Sequence, residues 1–518
     1  MIHQSAHLVN HRLRSVPFVE VLLPYTERLL AEIDSEVPLR LVDKLHATLL
    51  SNMSFVAEVT LQEELDQFII SGQRSYQRFV AETIVSLESK YPVLDEILKN
   101  IASNYLNHIQ NICTNLRKDW LQLAAVFSLE ASAYSGIRDI DTSLGDGHHG
   151  EGTALITLVD GTKLIYKPRN IDTALAYNSF LSWVNHKLGT NLKTIKCISC
   201  GSYGWLAFIP NEGVDTPEEL SMYYYQAGIL LAVTLLLGSK DCHFENVIAS
   251  GKYPVIIDHE TIIQPVLSKQ SVRTWDEQHQ IPYCSILESM LIVNRDRGVP
   301  LAFAGYGIKG KTEAMELVKQ VVHANSIDSK RSNHFLSRKL VKENIPTYEG
   351  QYVFANDYKH NLISGFSAAY DMFMASREEL FAEDSPILAF ANQNVRYVWR
   401  PTYVYFRILK YLRKASFMGS FASYRSKLYE LIAKAYQKGN MEDYRFILAY
   451  EIDQLLKGDI PLFNVNSSKH HLLGNETIQT FQYDCIENIK NRISLFSPEH
   501  KGEQIEYITN WLRIPLLP

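Results

Sequence analysis

Asp241, Asn246 and Asp258 are the residues whose types and spacing most directly imply chemistry. Residues 237–246 read LGSKDCHFEN, and Asp258 follows twelve residues after Asn246, in VIIDHET. An acid, an Asn five residues on, and a second acid beyond a short β-hairpin is a set that phosphoryl transfer uses. One carboxylate accepts or orients the nucleophile's proton, while the Asn and the second carboxylate hold magnesium against a triphosphate. Oxygen ligands suit that hard cation. The plainer reading has Asp241 and Asn246 capping turns and Asp258 as an edge-strand acid. Three such residues at this spacing, with a lysine upstream, favour the catalytic reading. That lysine is Lys167, at the end of KLIYK, with Lys163 and Arg169 as nearby competitors. A kinase fold places its phosphate-contacting lysine on such a strand, although strand-end lysines are also commonly just solvated.

Other residues are less decisive. SLGDGHHGEGT (143–153) carries four glycines in eleven residues ahead of a strand. It could cover phosphates with backbone N–H groups, because glycine allows close approach. An ordinary loop fits equally well, and the stretch is not G-x-G-x-x-G. His148 and His149 have no Cys or His partners at metal-ligand spacing. Cys197 and Cys200 form a lone C-x-x-C on a strand-like run, which reads as buried structural thiols.

The elements around these residues fall in a definite order. Residues 1–130 read as a helical region with only Gly72 ahead of Gly136. Apolar residues recur at three- and four-residue spacing in 17–33, 79–109 and 119–129, with a break at Pro92. The texture then changes. Two β-rich runs flank Asp160-Gly161 in 152–170, a strong hairpin signal. A helix over 173–189 and a strand-like run over 195–210 follow. Thr216-Pro217-Glu218-Glu219 opens a long apolar helix to residue 237, with Thr as N-cap and Pro at the first position. Residues 245–261 read as strand, turn, strand, and from about residue 300 the pattern is mostly helical. Hairpin, helix, sheet, helix and second hairpin is the order of a kinase core. The expected class is therefore α+β, with a small β-rich N-lobe over 131–212 and a larger helical C-lobe over 213–518.

Composition limits the alternatives. The 518 residues suggest about three domains or subdomains. With 46 % hydrophobic and 21 % charged residues, the chain is not disordered, collagen-like or coiled-coil. A net charge of −6 gives no overall basic excess for nucleic acid or an anionic membrane. Six cysteines fit a reducing compartment. No signal segment opens the chain, and the most apolar run, Ala227 to Leu237, is shorter than the roughly 20 residues of a membrane span. A cytoplasmic location without membrane insertion is expected.

L-G-x-x-D-x-H-x-x-N followed by I-D resembles the catalytic loop of phosphoinositide-kinase-like lipid kinases. The fuller set resembles the dehydratase domain of class II lanthipeptide synthetases (LanM type). Its segments are GDGHHGEGTALITLVDGTKLIYKPRN, GSYGWLAFI, GSKDCHFENVIASGKYPVIIDHET, LISGFSAAYDMF and VRYVWRPTYVYFRIL. The resemblance implies a lipid-kinase-like bilobal core, elaborated by N-terminal and C-terminal helices. It implies that Ser and Thr of a ribosomally made precursor peptide, carrying an N-terminal leader, are phosphorylated with ATP and Mg2+. The phosphate is then eliminated to leave dehydroalanine and dehydrobutyrine. A phosphate is a far better leaving group than hydroxide. By position, Asp241 is the kinase base with His243 in its loop. Asn246 and Asp258 are magnesium ligands and Lys167 is the phosphate-binding lysine. Asp146 and His148 order the loop over the phosphates. Arg396 and Thr402 match an Arg and Thr that serve elimination, and Arg400 is a further phosphate-holding candidate.

Two departures accompany the resemblance. The helix over 173–189 has no Glu to pair with Lys167. Cys485 is the one cysteine beyond residue 410, so the zinc cyclase site of full-length members is not expected here. A separate cyclase and an export transporter are implied as partners. The alternatives are a kinase that stops at the phosphorylated product, or a degenerate scaffold that holds a leader peptide. Arg396 and Thr402 argue against the first, and the intact Asp241, Asn246, Asp258 and Lys167 against the second.

Overall fold

Scarce glycine and helix-period apolar residues let the N-terminal third run as long helices. Leu39–Ile70, Tyr76–Lys90 and Pro92–Phe127 span 32, 15 and 36 residues. Ser75 caps the second, its hydroxyl accepting from the Arg78 amide at 3.3 Å. Pro92 ends that helix and opens the third. Leu49, Met53, Ala57, Leu61 and Leu65 recur every fourth residue and are fully buried. They form the inner stripe of the first helix. A computed structural model describes residues 13–33, 37–129, 136–148, 150–268, 274–294, 299–309, 313–339, 342–436, 444–474 and 478–513. The class is mixed α and β, mostly helical, with small antiparallel sheets.

Two compact units share the chain. The first comprises 1–168, 315–338 and 401–461, and the second 169–314, 339–400 and 462–518. In the first, strands Ile137–His148, Glu151–Leu158 and Lys163–Lys167 form successive hairpins. Ile156 pairs with Ile140 on one side and Leu164 on the other. Ala154, Ile156 and Leu158 alternate into the core. Gly161 takes φ +93°, and the Asp160 carboxylate accepts from the Thr162 amide at 2.8 Å, so the Asp-Gly turn forms as expected. Within the glycine-rich stretch, 143–148 lie on the first of these strands and 151–153 on the second.

The expectation of mostly helix after residue 300 needs one correction. Glu313–Val322 and Lys330–Lys339 are ten-residue strands that pair as a two-stranded sheet. EAMELVKQVV satisfies both the helical and the alternating pattern, and short apolar runs of this kind do not decide between them. The tip between the strands is fixed by polar contacts. The Asn325 side-chain amide donates to the Arg14 and Val16 carbonyls, and Gln62 donates to the Ser329 carbonyl at 2.8 Å. Helices Thr402–Leu412, Phe421–Ala433 and Arg445–Leu456 complete this unit. Glu451, wholly buried, accepts from Tyr405 and Tyr436 hydroxyls at 2.7 Å each.

The second unit is built around helix Pro217–Leu237. Thr216 caps it, accepting from the Glu219 amide, and Gly238 ends it in the left-handed region. The helix is 21 residues and apolar enough to cross a membrane by length and composition, longer than the apolar run read from the sequence. Most of that apolar window, 83 %, is buried inside the protein, as a core helix requires. Helix Lys359–Ala375 crosses it at very close range. A Cβ on Gly365 would stand 1.8 Å from the Tyr225 carbonyl, and one on Gly228 2.0 Å from that of Leu362. Only glycine permits this backbone contact. Around the pair lie helix Asp172–Leu188, hairpins Cys197–Ser199/Gly204–Ala207 and Val247–Ser250/Tyr253–Ile256, and helices Cys485–Leu495 and Pro498–Leu512. Cys197 and Cys200, read as buried from the sequence, are only half-buried at this first hairpin. Strand Asn394–Tyr397 pairs antiparallel with Phe463–Asn466.

Candidate active site

Gly238 stops the core helix and releases the loop that carries Asp241. Backbone and side-chain bonds then fix each residue of that loop. Ser239 donates its hydroxyl to the Ile262 carbonyl at 2.6 Å, and Lys240 exchanges bonds with Thr261 at 3.0 and 2.8 Å. Cys242 donates its amide to the Ser289 carbonyl at 2.7 Å. Between these anchors Asp241 takes φ +61°, left-handed for a residue with a Cβ. Such a conformation costs about 1–3 kcal/mol and needs surroundings that enforce it.

Beneath the loop is a buried ion cluster. Lys240 contacts Asp276 and, at 2.9 Å, Glu288. Arg492 clamps both Glu288 oxygens at 2.7 and 3.0 Å and also reaches the Leu235 carbonyl. Burial alone raises the Glu288 carboxyl, but Arg492 and Lys240 outweigh it and hold the group at about 2. A side chain on Gly238 would collide with Arg492, 2.7 Å away.

Asn246 donates its side-chain amide nitrogen to the Asp241 carbonyl at 2.7 Å, so its own side-chain oxygen is the atom left to accept or to coordinate. Its carbonyl accepts from the Ile257 amide at 3.0 Å, which joins it to the residue preceding Asp258. His243 accepts from the Glu245 amide on Nδ1, so the ring proton belongs on Nε2, which faces an Asp241 oxygen at 3.5 Å. One Asp258 oxygen accepts from the Glu260 amide at 3.4 Å. Asn246 and Asp258 thus offer hard oxygen donors, a set that fits Mg2+.

Glu260 extends this group. Its carboxylate receives Arg169 at 2.7 Å and stands 3.5 Å from Arg396. The Arg396 amide also donates to the Glu260 carbonyl at 3.0 Å, and Gln264 holds the Arg396 carbonyl at 2.8 Å. Arg396 therefore sits two residues, through Glu260, from Asp258. The second unit brings together Asp241, His243, Asn246, Asp258 and Arg396, and Arg400 belongs to it too. Lys167 and Thr402 belong to the first unit. Lys167 ends its strand as expected, 7 % exposed, and Thr402 is the first residue of helix Thr402–Leu412. Asp146 and His148 lie on strand Ile137–His148, and their side chains fall outside the described residues, as does the whole of His149.

Glu260 and the Lys240–Glu288–Arg492 cluster were not foreseen from the sequence. An acid interrupting the apolar run after Asp258 was the available signal for Glu260. Glu288 and Arg492 lie 204 residues apart and left none. His470, Asp484 and Glu487 also bring ligand atoms within 4.8 Å of one another. Asp484 and Glu487 form the capping box of helix Cys485–Leu495, and His470 pairs with Glu487 at 3.3 Å.

Residues 91–466 match the family described as Domain of unknown function (DUF4135), and the chain belongs to that family. It is also similar to the lacticin 481/lactococcin biosynthesis protein LcnDR2 of Lactococcus lactis subsp. lactis. The two are 25 % identical over 444 residues, covering 79 % of this chain and 46 % of that protein. The chain thus spans about half the length of the curated relative it matches. Both matches agree with the resemblance to class II lanthipeptide synthetases read from the motifs.

Proposed function

We propose that this protein dehydrates Ser and Thr of a ribosomally made precursor peptide in lanthipeptide biosynthesis, on a lipid-kinase-like bilobal core. The supporting observation is the joining, through Glu260, of Arg396 to a loop that already holds Asp241, Asn246 and Asp258. Similarity to a protein of lacticin 481 biosynthesis points to the same pathway type.

In the first half-reaction Asp241 takes the proton of the substrate hydroxyl as that oxygen bonds to the γ-phosphorus of ATP and ADP departs. The His243 N–H facing Asp241 steadies its carboxylate. Asn246 and Asp258 would hold Mg2+, which supplies charge neutralisation for the phosphates. Lys167 is assigned to the phosphates on the first unit's strand. In the second half-reaction a base removes the Cα proton, its electron pair forms the Cα=Cβ bond, and the phosphate leaves with the C–O electrons. Arg396, with Arg400 as a second cation, balances the charge that develops on the departing phosphate. Thr402 is assigned to this step, and Asp146 and His148 to ordering the phosphate-covering segment. The expected partner is a precursor peptide with a leader, the expected location cytoplasmic.

The test is to incubate the protein with ATP, Mg2+ and a candidate precursor and weigh the peptide. Loss of one water per modified site is expected. A stable gain of phosphate removes the elimination step, and an unchanged mass across candidate precursors rejects the proposal.

A further inference from the structure

The chain is acidic overall, at −6, yet residues 401–436 contain seven Lys or Arg and a single Glu. Helix Thr402–Leu412 concentrates part of this charge on one side. Tyr403, Phe406, Arg407, Lys410 and Tyr411 are all exposed, and their three- and four-residue spacing places them on a single face. Lys414 continues the face just beyond the helix, its ammonium 5.1 Å from the Tyr411 ring. The opposite side is spent on the core, where Tyr405 and Leu412 are buried. Lys427 and Lys434 share Glu430 at 2.8 and 3.3 Å. Among the described residues, Arg407, Lys410 and Lys414 have no carboxylate within ion-pair distance. The Glu58 carboxylate feels Lys410 electrostatically without forming an ion pair with it. A face with this surplus of cations beside aromatic rings, in an acidic protein, suits an anionic occupant.

Its size narrows the choice. Eleven helical residues extend about 16 Å, the length of roughly five residues of extended peptide. That suits one peptide strand with a few negative charges. It is short for a nucleic acid, which the acidic remainder of the protein also repels. The face begins one residue after Thr402, which the dehydratase reading assigns to phosphate elimination. That reading also creates an anion here, since each phosphorylated Ser or Thr gains a charge of about −1.5 to −2.

We propose that the Arg407–Lys410–Lys414 face holds the phosphorylated precursor peptide between transfer and elimination. The proposal rests on the dehydratase reading for the identity of its occupant. Arginine gives forked contacts to phosphate, the lysines supply point charges, and the aromatic rings cover adjoining apolar side chains. The unphosphorylated peptide, lacking the dianion, gains only the aromatic part.

The test measures binding of a fluorescent Ser-containing peptide and its phosphoserine counterpart to the full chain. A preference of about tenfold for the phosphorylated form is expected from two or three exposed charge contacts, falling as salt rises. In the double variant R407E/K410E that preference disappears. Both side chains are exposed, so its melting temperature stays within a degree or two of wild type. Equal affinity of the two peptides for wild type, or an undiminished preference in the variant, overturns the proposal. So does capture of phosphatidylserine vesicles by this face without any phosphopeptide preference. Binding of a synthetic phosphopeptide needs no catalysis, so this outcome is independent of the mass measurement that judges dehydration.

Discussion

Replacing Glu260 by Gln separates the two halves of the proposed reaction. The wild-type carboxylate is mostly buried, with 12 % of the side chain exposed, and lies between Arg169 at 2.7 Å and Arg396 at 3.5 Å. Glutamine keeps the shape and the backbone bonds to Asp258 and Arg396, but loses the negative charge. Charge-assisted hydrogen bonds of this kind contribute about 1.5–3 kcal/mol. Only the part used to orient Arg396 reaches the transition state of elimination. That predicts a 10- to 100-fold slower conversion of phosphopeptide to dehydropeptide, at about 1.4 kcal/mol per factor of ten. The assay follows two time courses by mass: ATP with unmodified peptide for transfer, and synthetic phosphopeptide for elimination. Phosphopeptide should accumulate in the first and persist in the second. Equal slowing of both steps would show that Glu260 only supports the fold, and unaltered elimination would refute its role in placing Arg396.

Asp241→Asn should abolish both phosphorylation and dehydration, whereas Arg396→Ala or Thr402→Ala should let phosphopeptide build up; mass spectrometry of the product distinguishes them. Gly365→Ala should destabilise the second unit by about 3 kcal/mol, read as a lowered thermal midpoint, because its Cβ would overlap a backbone carbonyl at 1.8 Å. Acid should weaken the fold through Glu288, whose native carboxyl is depressed from 4.5 to about 2. Its contribution is complete above about pH 4.5 and is lost as pH falls through about 2. Denaturant midpoints should drop over that window, and less steeply in Glu288→Gln.

The elements that obey local rules were legible in the sequence. The Asp160-Gly161 hairpin, the Thr216 cap and the break at Pro92 are each set by a few neighbouring residues. The spacing of Asp241 and Asn246 also marked out a loop, and the Asn246 side chain does close back on the Asp241 carbonyl. Less legible was what comes together from afar. Arg169, Glu260 and Arg396 meet across more than two hundred residues, and no periodicity or motif encodes such a meeting. Helix Leu39–Ile70 lies inside the region read as helical, although its own bounds were not marked, and the hairpin at 313–339 was missed because its pattern satisfies two periods. Arg169 had been weighed only as a rival to Lys167, when its partner is Glu260.

The interleaving of the two units governs how the chain acquires its structure. The first unit takes its last segment from 401–461, and the second from 462–518. Thr60 bonds the Arg413 carbonyl across 353 residues, Gln62 the Ser329 carbonyl across 267, and Arg492 the Leu235 carbonyl across 257. On a ribosome that emits residues from the N-terminus, helices 39–70 and 92–127 therefore emerge well before the segments that complete their packing. Assembly must wait on these distant pairings and is slowed by them. The waiting helices, with their apolar stripes uncovered, are the species on which chaperones and aggregation compete. Severing the chain between residues 340 and 400 should yield two insoluble fragments when each is made alone, and recovery only when both are present together.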